Sequence, residues 1–148
     1  MIKTRSLKRI GTLAGTLSAV ILLTITQASA ASAETERATA TTYSDEAQWV
    51  KCANTYDNGN IVYQACFSPG GDWFLIYDGV SDGSSAVVDW EVGDRYGAIF
   101  NADGKSTYRY KNKNFTESAT IRFRVCKGHW DTKLITAGTC SGWVSNLT

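Results

Sequence analysis

The sequence predicts an all-β domain: an antiparallel β-sandwich or small barrel of about seven to nine short strands, tied by two local disulfides. Three observations carry this. No stretch keeps a helical apolar period, whereas period-two alternation recurs between strong turn signals. Beyond residue 33 only three leucines remain (Leu75, Leu134, Leu147) beside five Trp, seven Tyr and five Phe, a balance that suits pleated sheet better than helix. Four cysteines form two sets, Cys52 with Cys66 and Cys126 with Cys140, each spaced by fourteen positions.

Residues 1–33 read as an address. Lys3, Arg5, Lys8 and Arg9 make a positive start without an acid, and residues 10–25 are uncharged, with their apolar weight at Ala19, Val20, Ile21, Leu22 and Leu23. Two small-residue patterns, ending at Ala30 and Ala33, follow as alternative cleavage sites. This is the order of a secretory signal peptide. Gly11, Gly15 and several hydroxyl residues leave the apolar stretch short of the roughly 20 residues of a spanning helix. Removing the first 33 of 148 residues leaves 115 with a net charge of −3, since four of the 15 basic residues and none of the 14 acidic ones are lost. That balance excludes a strongly basic nucleic-acid binder, and the single His leaves little room for an imidazole metal site. No cofactor or metal is expected, and no membrane contact once the signal is removed.

A small secreted chain with an even number of cysteines is expected to hold disulfides. Four cysteines permit three pairings. The repeated spacing around turn-rich stretches favours Cys52–Cys66 and Cys126–Cys140, each closing a loop of about 15 residues worth roughly 3 kcal/mol.

The elements follow in order. Residues 34–47 are polar and mix small residues with charges, so they are expected to stay flexible ahead of a single domain over 48–148. Strand character begins near Trp49 and Val50. Asn58 and Gly59 are a hairpin signal, with residues 61–67 as the return strand. After Pro69, Gly70 and Gly71, residues 72–78 carry apolar side chains on both faces, which marks a central strand. In 86–92, Ala86, Val88, Trp90 and Val92 share one face and Val87, Asp89 and Glu91 the other. Further strands are expected at 96–101, 107–111, 120–127, 133–137 and 140–144. In 120–127, Ile121, Phe123 and Val125 point inward, Arg122 and Arg124 outward.

This arrangement resembles a group of small secreted β-sandwich proteins of filamentous actinobacteria, mostly uncharacterised. The resembling residues are the early Cys52 and Cys66, Gly71-Asp72-Trp73-Phe74, the Asp78 to Gly83 turn, Val125-Cys126, and Thr139-Cys140-Ser141-Gly142-Trp143. Such proteins often carry a further cysteine pair in the middle, which this chain lacks. The resemblance implies a fold and an extracellular address, and no activity.

Candidate chemistry is sparse. His129 and Asp131 with a serine would supply the residue types of a hydrolase triad, but no G-x-S-x-G elbow is present, and a surface-loop histidine is the plainer reading. Asp89 and Glu91 share a strand face as paired carboxylates could, yet suit a solvated face equally. Asp57 to Asn60 and Asp78 to Gly83 offer oxygens near glycines without the spacing of a calcium loop. Charge is asymmetric: residues 34–94 hold two basic and eleven acidic side chains, and 95–148 hold nine and three. The basic half interleaves with aromatics, and the binding residues expected there are Tyr108, Arg109, Tyr110, Arg122, Arg124, His129 and Trp130. Neutralisation of acidic by basic strands in the sheets is the plainer alternative. The function expected is a monomeric, secreted, non-enzymatic binding protein. Its partner would be an extracellular protein, such as a hydrolase it inhibits through loops 54–60 or 128–138. The alternatives are a carbohydrate or cell-wall module and, third, a small hydrolase.

Overall fold

A computed structural model describes residues 33–148; the expected signal peptide lies outside the described residues except for Ala33. Ten strands form: β1 (Glu34–Arg37), β2 (Lys51–Asp57), β3 (Asn60–Ser68), β4 (Trp73–Asp78), β5 (Ser85–Val92), β6 (Arg95–Asn101), β7 (Thr107–Asn112), β8 (Thr120–His129), β9 (Leu134–Ile135) and β10 (Val144–Leu147). The larger sheet runs β1-β6-β5-β8-β10 with β9 added to β8, and the smaller runs β2-β3-β4-β7. All pairings are antiparallel except β1 with β6. No helix among the described residues is long and apolar enough to cross a membrane.

Alternation gives each sheet one inward face. Ala86, Val88, Trp90 and Val92 of β5, Ile99 of β6, and Ile121, Phe123 and Val125 of β8 meet Ala53, Ala65, Phe67, Phe74 and Ile76 of the smaller sheet. With so few leucines, rings fill the space: Phe67 and Phe74 lie 5.1 Å apart, each is within 6.4 Å of both Phe115 and Phe123, and Trp90 packs on Phe115 at 5.0 Å. Asn101, fully buried at the end of β6, ties the sheets together. Its amide donates to the carbonyls of Ile76 and Thr107, and its oxygen accepts from the Asp103 N–H. An interior amide satisfied on both sides stabilises the packing, where an unsatisfied one would oppose it.

Both disulfides are local, Cys52–Cys66 and Cys126–Cys140. The first links residues directly opposite in the β2–β3 ladder, whose turn at Asn58 and Gly59 has φ of 49° and 80°. Positive φ at both central positions is what a two-residue hairpin turn matching strand twist requires, and Asn-Gly supplies it with little strain. The second ties a C-terminal segment over the outer face of the larger sheet. There Val87, Phe100 and Cys126 make a small second core with Trp130, Ile135 and Cys140.

Four expectations need correction. Residues 34–47 do not form a flexible segment throughout: Glu34–Arg37 is a strand, Ala38 is fully buried, and Ala40 bridges to Tyr110. The polarity of β1 is matched by distant cations, which a local reading misses. Its close approach to β6 depends on Gly97, where a Cβ would lie 2.2 Å from the Glu34 carbonyl oxygen. The strand expected at 140–144 instead begins at Val144. Before it, Ser141 replaces regular pairing: its N–H donates to the Val125 carbonyl and its hydroxyl accepts from the Val125 N–H. The strand expected at 133–137 shortens to Leu134–Ile135, and Gly128 and His129 belong to β8 rather than to a loop.

The charge asymmetry resolves into ion pairs across strands. Along the interior face, the rows of the smaller sheet end on β7 at Arg109 and Lys111, opposite Ile76 and Phe74. These cations, and Lys113 just beyond, reach across to the edge of the larger sheet. Lys111 pairs with Glu36, Lys113 with Glu34 and Glu36, Arg95 with Glu34, and Asp103 with both Arg109 and Arg37. The Lys113 side chain is 5% exposed, and its ammonium also lies 4.8 Å from the Trp90 ring centre. Arg95 beside Glu34 holds that carboxyl down at about 2, with Lys113 adding to the effect against a burial penalty.

Replacing Lys113 by Met should therefore destabilise the protein by about 1–3 kcal/mol. This is less than a fully buried pair would cost, because Glu34 and Glu36 keep Arg95, Lys111 and some solvent. The check is urea unfolding, where the midpoint should fall at unchanged slope.

Candidate functional site

The outer face of the smaller sheet is the feature that packing leaves unexplained. Register places its side chains in rows across the four strands. One row is Asn54, Gln64, Tyr77 and Tyr108; the next is Cys52, Cys66, Leu75 and Tyr110; a third holds Trp73 and Asn112. None of these residues is charged, although charged residues make up 20% of the chain. With neighbouring strands about 4.8 Å apart, a row of four extends roughly 14 Å.

Rings on this face are mutually supported. Tyr77 and Tyr108 stack at 4.6 Å, with their planes 27° apart. The segment leading into β2 lays Tyr43 and Trp49 on Tyr110, at 4.8 and 5.9 Å. It is anchored by the Gln48 N–H donating to the Ser68 hydroxyl and the Val50 N–H donating to the Phe67 carbonyl. Beside the rings, the Gln64 amide donates to the Asn54 oxygen, and the Asn54 amide donates to the Tyr56 hydroxyl. Tyr43, Tyr56 and Tyr108 are exposed, while Trp49, Tyr77 and Tyr110 are half-buried. The surface is therefore apolar in its planes and hydrogen-bonding at its rim.

The residues selected from sequence do not form one site. Tyr108 and Tyr110 lie on this face as alternation requires, and Arg109 between them points to the interior side and pairs with Asp103. Arg122 and Arg124 lie on the outer face of the other sheet, paired with Glu91 and Asp89 and stacked on Trp143 at 4.9 and 4.5 Å. His129 and Trp130 line a separate cleft. Sequence selection passed over Tyr43, Trp49, Asn54, Gln64 and Tyr77. The signal for Tyr77 was present in the two apolar faces of residues 72–78, since only one of them can enter the core. Asn54 and Gln64 gave none, because their neighbourhood depends on strand pairing.

The carboxylates of Asp89 and Glu91 are held by arginines. No hydrogen bond joins His129, Asp131 and a serine among the described residues, and no group of three or more His, Cys, Asp or Glu side chains gathers there. Asp82 and Asp78 differ most in protonation. Burial opposes the Asp82 charge, but the Lys127 ammonium, the Tyr63 hydroxyl and the Ser84 N–H outweigh it and hold the carboxyl at about 2. Burial pushes Asp78 up to about 6 against the Val80 N–H, with the nearby Asp82 charge adding to the rise. Such a divergence can mark an acid–base pair. Here Asp78 has no exposed surface, so no substrate reaches it, and its role is to cap the turn after β4.

Because the folded state raises Asp78 above its unfolded value of 3.8, stability falls as pH rises from about 4 through about 6. Glu34 and Asp82, lowered to about 2, act oppositely: their contribution is complete above about pH 4 and lost toward pH 2. Asp78→Asn should remove the falling limb. Between pH 4 and pH 7 the stability difference should move in the variant's favour by about 2–3 kcal/mol, measured by urea titration at each pH.

No protein-family model, curated protein or solved structure matches the chain.

Proposed function

We propose that this is an extracellular binding protein whose contact surface is the outer face of the smaller sheet and whose ligand is a neutral glycan. The two disulfides support an oxidising compartment, and the charge, apolar stretch and small-residue order at the N-terminus supports secretion. The observation that carries the ligand class is the uncharged composition of that face. A pyranose ring offers an apolar plane of C–H groups edged by hydroxyls, which aromatic planes beside amide and phenol groups complement. A protein partner of ordinary composition favours arginine among the aromatics at its contact surface. Here every cation of β7 is directed away from the face.

A second reading has one observation in its favour. Tyr56, 61% exposed, stands near the tip of the β2–β3 hairpin, which the Cys52–Cys66 bond holds across its strands. A pre-ordered hairpin suits insertion into a partner protein, such as an extracellular hydrolase, because little ordering cost remains on binding.

Co-sedimentation with cellulose, chitin and purified cell wall separates the two. Binding to at least one polymer is expected, with Tyr108→Ala and Trp49→Ala each weakening it about five- to tenfold, a loss of roughly 1 kcal/mol in stacking. Unchanged binding by both folded variants would overturn the assignment of the face. Capture of a secreted hydrolase that Tyr56→Ala abolishes, without polymer binding, would replace the glycan reading by the hairpin one.

A further inference from the structure

A sheet edge presents a row of unpaired backbone N–H and C=O groups, and proteins blunt such edges with short strands, bulges, proline or charge. Here β1 and β10, at the edges of the larger sheet, have four residues each, and β7 is covered in part by the bridge from Ala40 to Tyr110. The β2 edge of the smaller sheet is different. It is seven residues long, holds no proline, and carries no charged side chain from Cys52 to Tyr56. The irregularity in its ladder lies on the neighbouring strand: Thr55 faces Tyr63 and Tyr56 faces Ile61, so Val62 is the extra residue and β2 itself keeps its alternation. The Cys52–Cys66 bond fixes this edge to β3, so little ordering cost remains for a strand that pairs with it.

Register and charge select the partner. Cys52 and Cys66 lie opposite each other with Cα atoms 4.0 Å apart, the close spacing of a pair without mutual hydrogen bonds. Lys51, Ala53, Thr55 and Asp57 therefore bond toward β3, and the backbone groups of Cys52, Asn54 and Tyr56 point out from the edge. Lys51 and Asp57, at the two ends of the strand, are exposed, and neither has an ion pair among the described residues. An antiparallel strand of the same sequence, centred on Asn54, answers both features. Asn54 then faces Asn54, Cys52 faces Tyr56, and Lys51 of each copy faces Asp57 of the other. The last is again a pair without mutual hydrogen bonds, which brings opposed side chains closest. Moving the centre to Cys52 or Tyr56 sets Lys51 opposite Ala53 or beyond the end of the strand. We propose that this edge is a homodimer interface, in which β2 pairs antiparallel with β2 of a second copy about Asn54. The two four-stranded sheets then join edge to edge. The row of Asn54, Gln64, Tyr77 and Tyr108 continues through the twofold axis into its counterpart, a span of roughly 34 Å. The dimer takes the place of the monomer expected from sequence. Neither this interface nor the glycan assignment depends on the other, since dimerisation is read with no glycan present.

The test is sedimentation velocity of the oxidised protein from micromolar to millimolar concentration. The sedimentation coefficient should rise with concentration from that of a monomer to that of a dimer. Lys51→Glu and Asp57→Lys should each raise the dimer dissociation constant about fivefold or more, because each sets like charges opposite. The double variant carrying both reversals should restore the dimer, since the charges are then exchanged and opposed again. Asn54→Pro removes an outward N–H and spares the bonds to β3, so it should abolish the dimer. The amide spectrum by nuclear magnetic resonance reports whether each variant is folded. A protein that stays monomeric at millimolar concentration overturns the proposal. So does a dimer that neither single reversal weakens, that the double reversal fails to restore, or that folded Asn54→Pro leaves intact.

Discussion

A nearly buried ammonium, that of Lys113, sets the arrangement of the whole molecule. An ammonium withdrawn from water must be met by carboxylates or become neutral. Among the described residues, the carboxylates paired with it are those of Glu34 and Glu36 on β1. This fixes the first strand at the edge of the larger sheet, opposite β7. The open side of the sandwich is thereby closed by ion pairs instead of apolar side chains. It also fixes which way β7 faces: with Arg109 and Lys111 committed to the interior side, alternation leaves Tyr108 and Tyr110 outside. The uncharged aromatic face is thus a consequence of where the charges had to go.

Ring chemistry is divided in the same way. All five phenylalanines are buried, as is Trp90, whereas Tyr63 is the only buried tyrosine. Phenylalanine has no polar group to satisfy, so it fills a core that lacks leucine. A buried tyrosine needs a partner for its hydroxyl, which Tyr63 finds in Asp82 at 2.8 Å. Burial, and then that bond, push the Tyr63 phenol up from its ordinary value. Of the remaining tyrosines, Tyr43, Tyr56, Tyr96 and Tyr108 are exposed, and Tyr77 and Tyr110 are half-buried.

Much of the architecture was legible because it is written locally. The alternation in residues 86–92, the Asn58 and Gly59 turn, and the equal cysteine spacings each need only a few neighbouring residues to interpret, and each corresponds to what forms. The first strand was not legible. Glu34 and Glu36 look solvated until Lys111 and Lys113, more than seventy positions away, are brought beside them. For the same reason the basic residues looked like a binding patch: Arg122 and Arg124 are matched one to one by Glu91 and Asp89 only after β5 and β8 pair. Tyr108 and Tyr110 could be placed on one face from alternation alone, but their company of Tyr77, Gln64 and Asn54 is a product of register across four strands.

The most direct test of this division between a charged seam and an uncharged face is a resonance map of the protein with a soluble neutral β-linked hexasaccharide. The account predicts perturbations concentrated at Gln64, Tyr77, Tyr108 and Tyr110, with the Arg122, Arg124 and Trp143 surface unaffected. Perturbations confined to that opposite surface, or none at saturating concentrations of glucose- and N-acetylglucosamine-based hexasaccharides, would contradict it.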